Sequence, residues 1–132
     1  MQGYLHGDQR NYQLAQESFL QALEKDGKNF DAWTNLGVMN YHLAQYDDAE
    51  RAFNSALQIR GNAPEVLSPL SLVYMKKGWL NKADSAIDQA LNLSVDHPYF
   101  LNNKGLIQIQ MGNFELADSL IRKSLKIDPD NH

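Results

Sequence analysis

The chain has 132 residues, 43% hydrophobic and 21% charged, with a formal net charge of −4, which predicts one folded domain and not a disordered chain. It has no cysteine, which excludes disulfides, thiolate zinc sites and cysteine nucleophiles. The acidic balance leaves no concentrated basic face for nucleic acid, and no stretch reaches the roughly 18 apolar residues of a membrane helix.

Apolar residues recur at helical spacing along the chain, as at Trp33, Leu36 and Leu43, and no segment shows the alternation of a strand. The pattern predicts an all-α fold. The predicted helices lie at residues 1–8, 12–25, 30–43, 46–59, 64–77, 80–93, 98–111 and 114–127.

Turn residues separate these helices. Within three helix pairs, the breaks fall at Ala44-Gln45, Gly78-Trp79 and Gly112-Asn113. Pro64 and Pro98 stand where a helix can begin, since the first turn needs no amide donor. Pro69 lies inside a predicted helix, where it should remove one hydrogen bond and bend the helix locally. Trp79 is either a contact at the edge of the fold or a ring folded over neighbouring helix ends.

The sequence repeats itself every 34 residues. Two columns are unbroken, Ala15, Ala49, Ala83, Ala117 and Leu23, Leu57, Leu91, Leu125. Two further columns keep the size of the side chain, Phe19, Phe53, Ile87, Ile121 and Gly37, Ser71, Gly105. A small residue in one helix lets a second helix approach closely, while a large residue fills the space beside it. The period therefore predicts pairs of helices stacked in succession.

One repeat carries a known set of residues. The stretch Trp33, Leu36-Gly37, Tyr46, Ala49, Phe53, Ala56-Leu57 resembles a tetratricopeptide repeat in both residues and spacing. The resemblance covers essentially the whole chain and implies a right-handed superhelical α-solenoid of about four helix-turn-helix repeats. These lie at about 1–29 (partial), 30–63, 64–97 and 98–132, in a single domain over 1–132. Lys104 departs from the pattern, because it replaces the leucine seen at Leu36 and Leu70.

The resemblance also implies a function. In this family the first helix of each pair lines a concave groove that holds a ligand, which implies a non-catalytic scaffold for another protein or peptide. The implied contact residues are Thr34, Val38, Tyr41, His42, Ser68, Leu72, Met75, Lys76, Tyr99, Asn102, Leu106 and Ile109. The Lys, Asn and Arg clamp with which some members hold a C-terminal carboxylate is missing, since Asp31, Thr34 and Val38 stand there.

The remaining apolar floor, with a mildly acidic lip, favours an amphipathic or apolar partner segment. The alternative is that at least half of the apolar floor residues pack between helices and are not available to a ligand. These residues are Val38, Tyr41, Leu72, Met75, Leu106 and Ile109. Among possible exposed contacts, Tyr41 and Tyr99 are favoured, because tyrosine combines a large apolar area with a polar tip.

Neither end of the chain shows the polar cap that such stacks normally carry. Leu120, Ile121, Leu125 and Ile127 cannot all point inward without a cover. We therefore expect either a segment of a longer repeat protein or a chain that self-associates through this helix. The second function class is accordingly a structural unit that assembles end to end, and a third is the targeting arm of an enzyme whose catalysis lies outside these residues.

The sequence predicts neither a catalytic site nor a metal site within the chain itself. His6, His42, His97 and His132 lie in different repeats without the spacing of metal ligands, and no nucleophile elbow or phosphate loop occurs. We expect no enzyme activity, no metal and no cofactor. Without a signal or membrane segment, a soluble chain is expected, cytoplasmic by default.

Overall fold

A computed structural model describes residues 2–130, with side chains from Arg10 onward. Within that range the chain is all helix and turn. Its seven helices are α1 (Gln2–Lys25), α2 (Phe30–His42), α3 (Tyr46–Ile59), α4 (Pro64–Lys76), α5 (Leu80–Leu93), α6 (Pro98–Met111) and α7 (Phe114–Ile127). The helical prediction is confirmed from residue 30 onward, where every predicted end agrees with the structure to within one residue.

The chain divides into two compact units. The N-terminal unit, Met1–Gly61, contains α1 to α3, and α2 packs against both of the others. The C-terminal unit, Asn62–His132, contains α4 to α7. In it α4 pairs with α5 and α6 with α7, while α6 also contacts α5 and α4.

The first two predicted helices, 1–8 and 12–25, are wrong as separate elements. They form one continuous helix, α1, of 24 residues. Each later break within a helix pair contains a residue with a left-handed backbone, but Gln9, Arg10 and Asn11 include no glycine or proline. Gln and Arg are good helix formers, so nothing in this segment ends the helix.

The three turns within helix pairs share one geometry. Ala44, Gly78 and Gly112 are in the left-handed conformation, with φ of 60°, 80° and 87°. The next backbone N–H then donates to the carbonyl five residues back, in Gln45–Asn40 (2.8 Å), Trp79–Tyr74 (2.9 Å) and Asn113–Gln108 (2.9 Å). This bond is the Schellman motif that ends helices, and the predicted breaks are confirmed.

Helices α2 and α6 begin with a side-chain cap, and α4 and α6 begin with a proline. The Asn29 side chain accepts a hydrogen bond from Ala32 N at 3.0 Å. Pro64 and Pro98 occupy the first turns of α4 and α6, as predicted, and His97 Nδ1 accepts from Tyr99 N at 3.2 Å. These contacts satisfy amide groups that have no partner inside the helix.

Close approach within each helix pair depends on the small residues of the 34-residue column. A Cβ atom at Gly37 would lie 2.5 Å from Cε1 of the buried Phe53 ring, and one at Gly105 would lie 2.6 Å from Cγ1 of Ile121. At Ser71 the hydroxyl donates to the Ser68 carbonyl at 2.6 Å and is fully buried. The column prediction is therefore confirmed at Gly37 and Gly105, where no side chain fits.

Helix α4 includes Pro69, which lacks the amide hydrogen for the usual bond to the carbonyl four residues back. The helix nevertheless runs without a break from Pro64 to Lys76. Its interior residues Val66, Leu70 and Val73 are buried, so packing maintains the helix across the missing bond.

Ala44 is the one member of the turn column that is not glycine, and we predict that Ala44→Gly stabilises the protein. A left-handed alanine costs about 1 kcal/mol that glycine avoids, so the free energy of unfolding should rise by about 0.5–1 kcal/mol. Urea unfolding followed by circular dichroism measures the change. Gly78→Ala and Gly112→Ala are the reverse controls and should destabilise, whereas a loss of stability in Ala44→Gly would contradict the turn geometry.

Candidate partner-binding surfaces

Helix α6 exposes a stripe of predicted contact residues. Tyr99, Asn102, Leu106 and Ile109 recur at intervals of three and four residues, which places them on one side of the helix. Tyr99 is 49% exposed, Leu106 37% and Ile109 42%, while Asn102 is half-buried. The opposite side of the helix is packed, with Phe100, Leu101, Asn103, Gly105, Ile107 and Gln108 buried. The stripe is thus an apolar face that the C-terminal unit leaves open.

Helix α4 lies beside this stripe. Asn103 Nδ2 of α6 donates to Ser68 Oγ of α4 at 2.8 Å, and both residues are buried. Of the predicted contact residues on α4, Leu72 is half-buried and Lys76 is exposed. We call Leu72, Lys76, Tyr99, Asn102, Leu106 and Ile109 the α4–α6 surface.

Ser68 and Met75 do not belong to this surface, which corrects the predicted set. Ser68 is 2% exposed and Met75 is 7% exposed. The Ser68 hydroxyl joins α4 to α6 through Asn103, and the Met75 thioether is enclosed in the core. Helical spacing alone placed these residues one helix turn from Leu72 and could not distinguish the packed side of α4 from the open side.

The predicted residues on α2 belong to the N-terminal unit. The Thr34 hydroxyl donates to the Phe30 carbonyl at 3.0 Å, and Val38 is half-buried. His42 stacks on Tyr12 with ring centroids 4.8 Å apart, and Tyr41 lies edge-on to His42 at 5.6 Å. The end of α2 is therefore an aromatic cluster that joins it to α1, with His42 still exposed.

The burial of the six apolar floor residues shows how many of them are accessible to a ligand. Met75 is buried, whereas Val38, Tyr41 and Leu72 are half-buried. Leu106 and Ile109 are exposed. Large apolar side chains thus remain accessible, and the two that are exposed are on α6.

A polar network that was not predicted holds α6 against α5. Lys104 Nζ is 3.1 Å from Asp84 Oδ1 and also contacts Asp88 Oδ1. Gln108 Nε2 donates to Asp84 Oδ1 at 2.7 Å, and Asn113 Nδ2 donates to Gln108 Oε1 at 2.8 Å. The sequence did contain a signal, because Asp84 and Asp88 are four residues apart on the helix before the unusual lysine.

The network also raises the pKa of Lys104. Partial burial acts to lower the pKa of Lys104, but hydrogen bonds to Asp88 and Asp84, together with their negative charges, outweigh it and raise the pKa above its ordinary value. A raised pKa in the folded state means that the interaction stabilises the fold at neutral pH. That contribution is lost as the pH rises through the raised value.

Comparison with known proteins places the chain in a family. One tetratricopeptide repeat model matches residues 1–64, and a second matches residues 66–97 and 98–131. Together the matches cover nearly the whole chain. The chain belongs to the tetratricopeptide repeat family. No curated protein sequence matches it closely enough for comparison.

Solved structures share the fold of this tetratricopeptide repeat protein. A MamA crystal structure is 21% identical with a TM-score of 0.76, over 89% of this chain and 64% of MamA. MamA from Desulfovibrio magneticus RS-1 is 18% identical, with a TM-score of 0.81 over 93% of this chain and 70% of that one. A tetratricopeptide repeat protein from Parabacteroides merdae is 24% identical, with a TM-score of 0.76 over 98% of this chain.

These similarities establish an all-α solenoid fold and, through the family, a general role as a protein-interaction scaffold. This chain spans 64% of the MamA chain and 52% of the Parabacteroides merdae chain. Tetratricopeptide repeats are generally non-catalytic. Between residues 2 and 130, no helix has the length and apolar character needed to cross a membrane. Among the side chains described, from Arg10 to residue 130, no group of three or more is suited to hold a metal ion.

The apolar side chains of helix α7 are more exposed than those at the equivalent positions of α5. Ala86 and Ile87 of α5 are buried, at 5% and 0% exposure, and α6 packs against that helix. The residues 34 positions later, Leu120 and Ile121, are half-buried, and Leu125 is 38% exposed. All three residues predicted for self-association are thus partly accessible.

Trp79 lies in the turn between α4 and α5. Its ring stacks on Tyr74 with centroids 6.0 Å apart, and Lys77 Nζ lies 3.9 Å from the ring centroid. The ring therefore does cover the helix ends, as one of the two alternatives states. It is also 42% exposed, so an edge contact stays open as a prediction.

We predict that Lys104→Met destabilises the protein at pH 7 by about 1–2 kcal/mol, because Asp84 and Asp88 lose their cation. Since these carboxylates are partly exposed, the loss is smaller than for a fully buried pair. Because salt screens partly exposed ion pairs, the loss should be smaller in about 1 M salt than at low salt. Urea unfolding at both salt concentrations measures it, with the exposed Lys126→Met as control. An equal loss at low and high salt would rule out the ionic explanation.

Proposed function

We propose that the C-terminal unit binds a segment of another protein on the α4–α6 surface, without catalysis. The exposed area of Tyr99, Leu106 and Ile109 carries the proposal. Contiguous exposed apolar side chains beside a charged rim are typical of sites that bind proteins. Exposed Lys76 supplies one charged group at the rim.

The preferred partner is an amphipathic helix or an extended segment with apolar side chains. Leucine, isoleucine and tyrosine offer area without fixed hydrogen-bond geometry, so they favour apolar side chains over a particular polar group. Asn102, half-buried in the middle of the stripe, provides an amide that can both donate and accept. Tyr99 combines a large apolar ring with a polar tip, which makes it the strongest candidate for an anchor residue.

The double variant Leu106→Asp with Ile109→Asp should abolish partner binding, because two carboxylates would be desolvated against an apolar segment. Affinity capture with the purified chain from extracts of its source cells, quantified by mass spectrometry, measures the loss. We expect at least about a tenfold decrease for the true partner, equivalent to about 1.4 kcal/mol.

Val95→Asp is the matched control, because Val95 is an exposed apolar residue outside the α4–α6 surface, at 68% exposure. It should retain every partner that the unmodified chain captures. If the double variant and Val95→Asp capture the same proteins at the same level, the α4–α6 surface is not the binding site. Far-ultraviolet circular dichroism checks that both variants remain folded.

A second candidate function is self-association through α7, supported by the partial exposure of Leu120, Ile121 and Leu125. The equivalent face of α5 is buried by α6. A second copy of the chain could cover α7 in the same manner.

Leu120→Asp and Leu125→Asp test this second candidate. If α7 mediates assembly, the mass of the unmodified chain in multi-angle light scattering should rise with concentration, and either variant should remain a monomer. Leu93→Asp, an exposed leucine on α5 outside this face, is the control and should still associate. A monomer at every concentration would reject self-association and leave the α4–α6 proposal unaffected.

A further inference from the structure

The N-terminal unit contains a hollow of about 450 Å³ on the side of α2 that lies between α1 and α3. Its residues recur at helical intervals on each of the three helices, so that one stripe of each faces the same space. The lining residues are Gln16, Leu20, Trp33, Leu36, Asn40, Asp48, Arg51, Ala52 and Ser55. Its volume lies within the range of about 300–1,000 Å³ typical of ligand pockets.

The C-terminal unit shows what occupies the equivalent place two repeats later. There, the counterparts of Gln16, Leu20 and Leu36 are Asp84, Asp88 and Lys104. The Lys104 side chain extends from α6 toward α5 and is held by the two carboxylates. The hollow beyond the shorter Leu36 side chain thus corresponds to the space that the longer Lys104 side chain crosses in the C-terminal unit.

The hollow in the N-terminal unit differs from that position in charge. The wall formed by Asp84 and Asp88 in the C-terminal unit is formed here by an amide, Gln16, and by Leu20, which is 48% exposed. The Gln16 amide donates to the side-chain oxygens of Asn40 and Gln45, so its N–H groups are already used.

Asp48 is the one carboxylate that lines the hollow, and it pairs with Arg51 on the same helix. The floor is Leu36, Ala52 and the indole of Trp33. Asp48 and Arg51 are both more than half exposed and neutralise each other, so the lining has no net charge. A charged group inside would lose hydration, whereas an aliphatic group would gain burial.

A second hollow continues beyond Trp33. It has a volume of about 470 Å³ and shares Trp33 and Ser55 with the first, while Gly27, Lys28, Gln58 and Ile59 complete it. The two hollows follow α3 from Asp48 to Ile59, a length of roughly 16 Å at about 1.5 Å per residue. An extended segment of about five residues spans the same length.

Trp33 separates the two hollows in a fixed orientation, because its Nε1 donates to the Gly27 carbonyl at 2.8 Å. Two adjacent hollows divided by a rigid ring fit a chain with successive side chains better than they fit a compact small molecule.

We propose that this paired hollow binds an extended segment of a partner protein and takes an uncharged aliphatic side chain of that segment between Gln16, Leu20 and Leu36. This site lies on α1, α2 and α3 and is separate from the α4–α6 surface. It would distinguish partners by the absence of charge on one side chain.

Four blocked amino acids test the proposal, namely the N-acetyl N-methylamides of leucine, glycine, lysine and glutamate. They share one backbone and differ in the side chain offered to the hollow. Titrations followed by ¹H–¹⁵N NMR should show the leucine compound binding about tenfold more tightly than the other three, as burial of one aliphatic side chain implies. The shifts should concentrate on Leu20, Trp33 and Ala52.

Leu20→Asp places a carboxylate on the wall and should weaken leucine binding about tenfold or more. Leu14→Asp introduces the same change on the same helix outside the hollow, where Leu14 is 56% exposed, and should leave binding unchanged. The triple variant Gln16→Asp, Leu20→Asp, Leu36→Lys transfers the charged set of the C-terminal unit and should fill the hollow.

Equal binding of all four compounds, tighter binding of the lysine compound, or equal effects of Leu20→Asp and Leu14→Asp would overturn the proposal. Shifts that appear only on the α4–α6 surface would also overturn it, while supporting the function proposed for that surface. Failure of the α4–α6 variants to lose a partner leaves the result at this hollow unchanged.

Discussion

The close approach of the two helices in each pair is the constraint on which the rest of the structure depends. At Gly37 and Gly105 the facing helix occupies the space of a Cβ atom, through Phe53 and Ile121. Such contact fixes the distance between the helices and therefore the side of each helix that remains open. The left-handed turn residues reinforce it by reversing the chain within a few residues. Both proposed binding sites occupy sides of the first helix of a pair that this contact leaves free.

Lys104 shows how one repeat can depart from the common pattern without loss of the fold. A lysine in a column of leucines would be costly if its charge were unpaired, and Asp84 and Asp88 on the neighbouring helix remove that cost. The repeat architecture thus tolerates polar replacements in compensating sets. Where the set is absent, as at Gln16, Leu20 and Leu36, the same position carries no charge and a hollow remains beside it.

Most of the fold could be predicted from the sequence because the period fixes several features at once. The columns of alanine and the turns at Ala44, Gly78 and Gly112 locate the helix pairs, and helix ends follow from them. The continuity of α1 was missed because the period was extended to a segment that has no turn residue. The burial of Ser68 was missed, and that of Met75 was left as one of two alternatives, because a stripe predicted from spacing has a width that depends on neighbouring helices. The open hollow was missed because it results from three helices together.

The two proposed sites use different physical means to select a partner. On the α4–α6 surface, exposed tyrosine, leucine and isoleucine accept many apolar shapes, so area decides affinity and selection is weak. In the paired hollow, Leu36 and Ala52 form a buried floor and Trp33 is fixed by a hydrogen bond, so shape and charge decide what enters. A site that must desolvate an inserted group penalises a charge far more than it rewards an added methylene. The two proposed sites thus differ in one structural respect, namely whether neighbouring helices enclose the space.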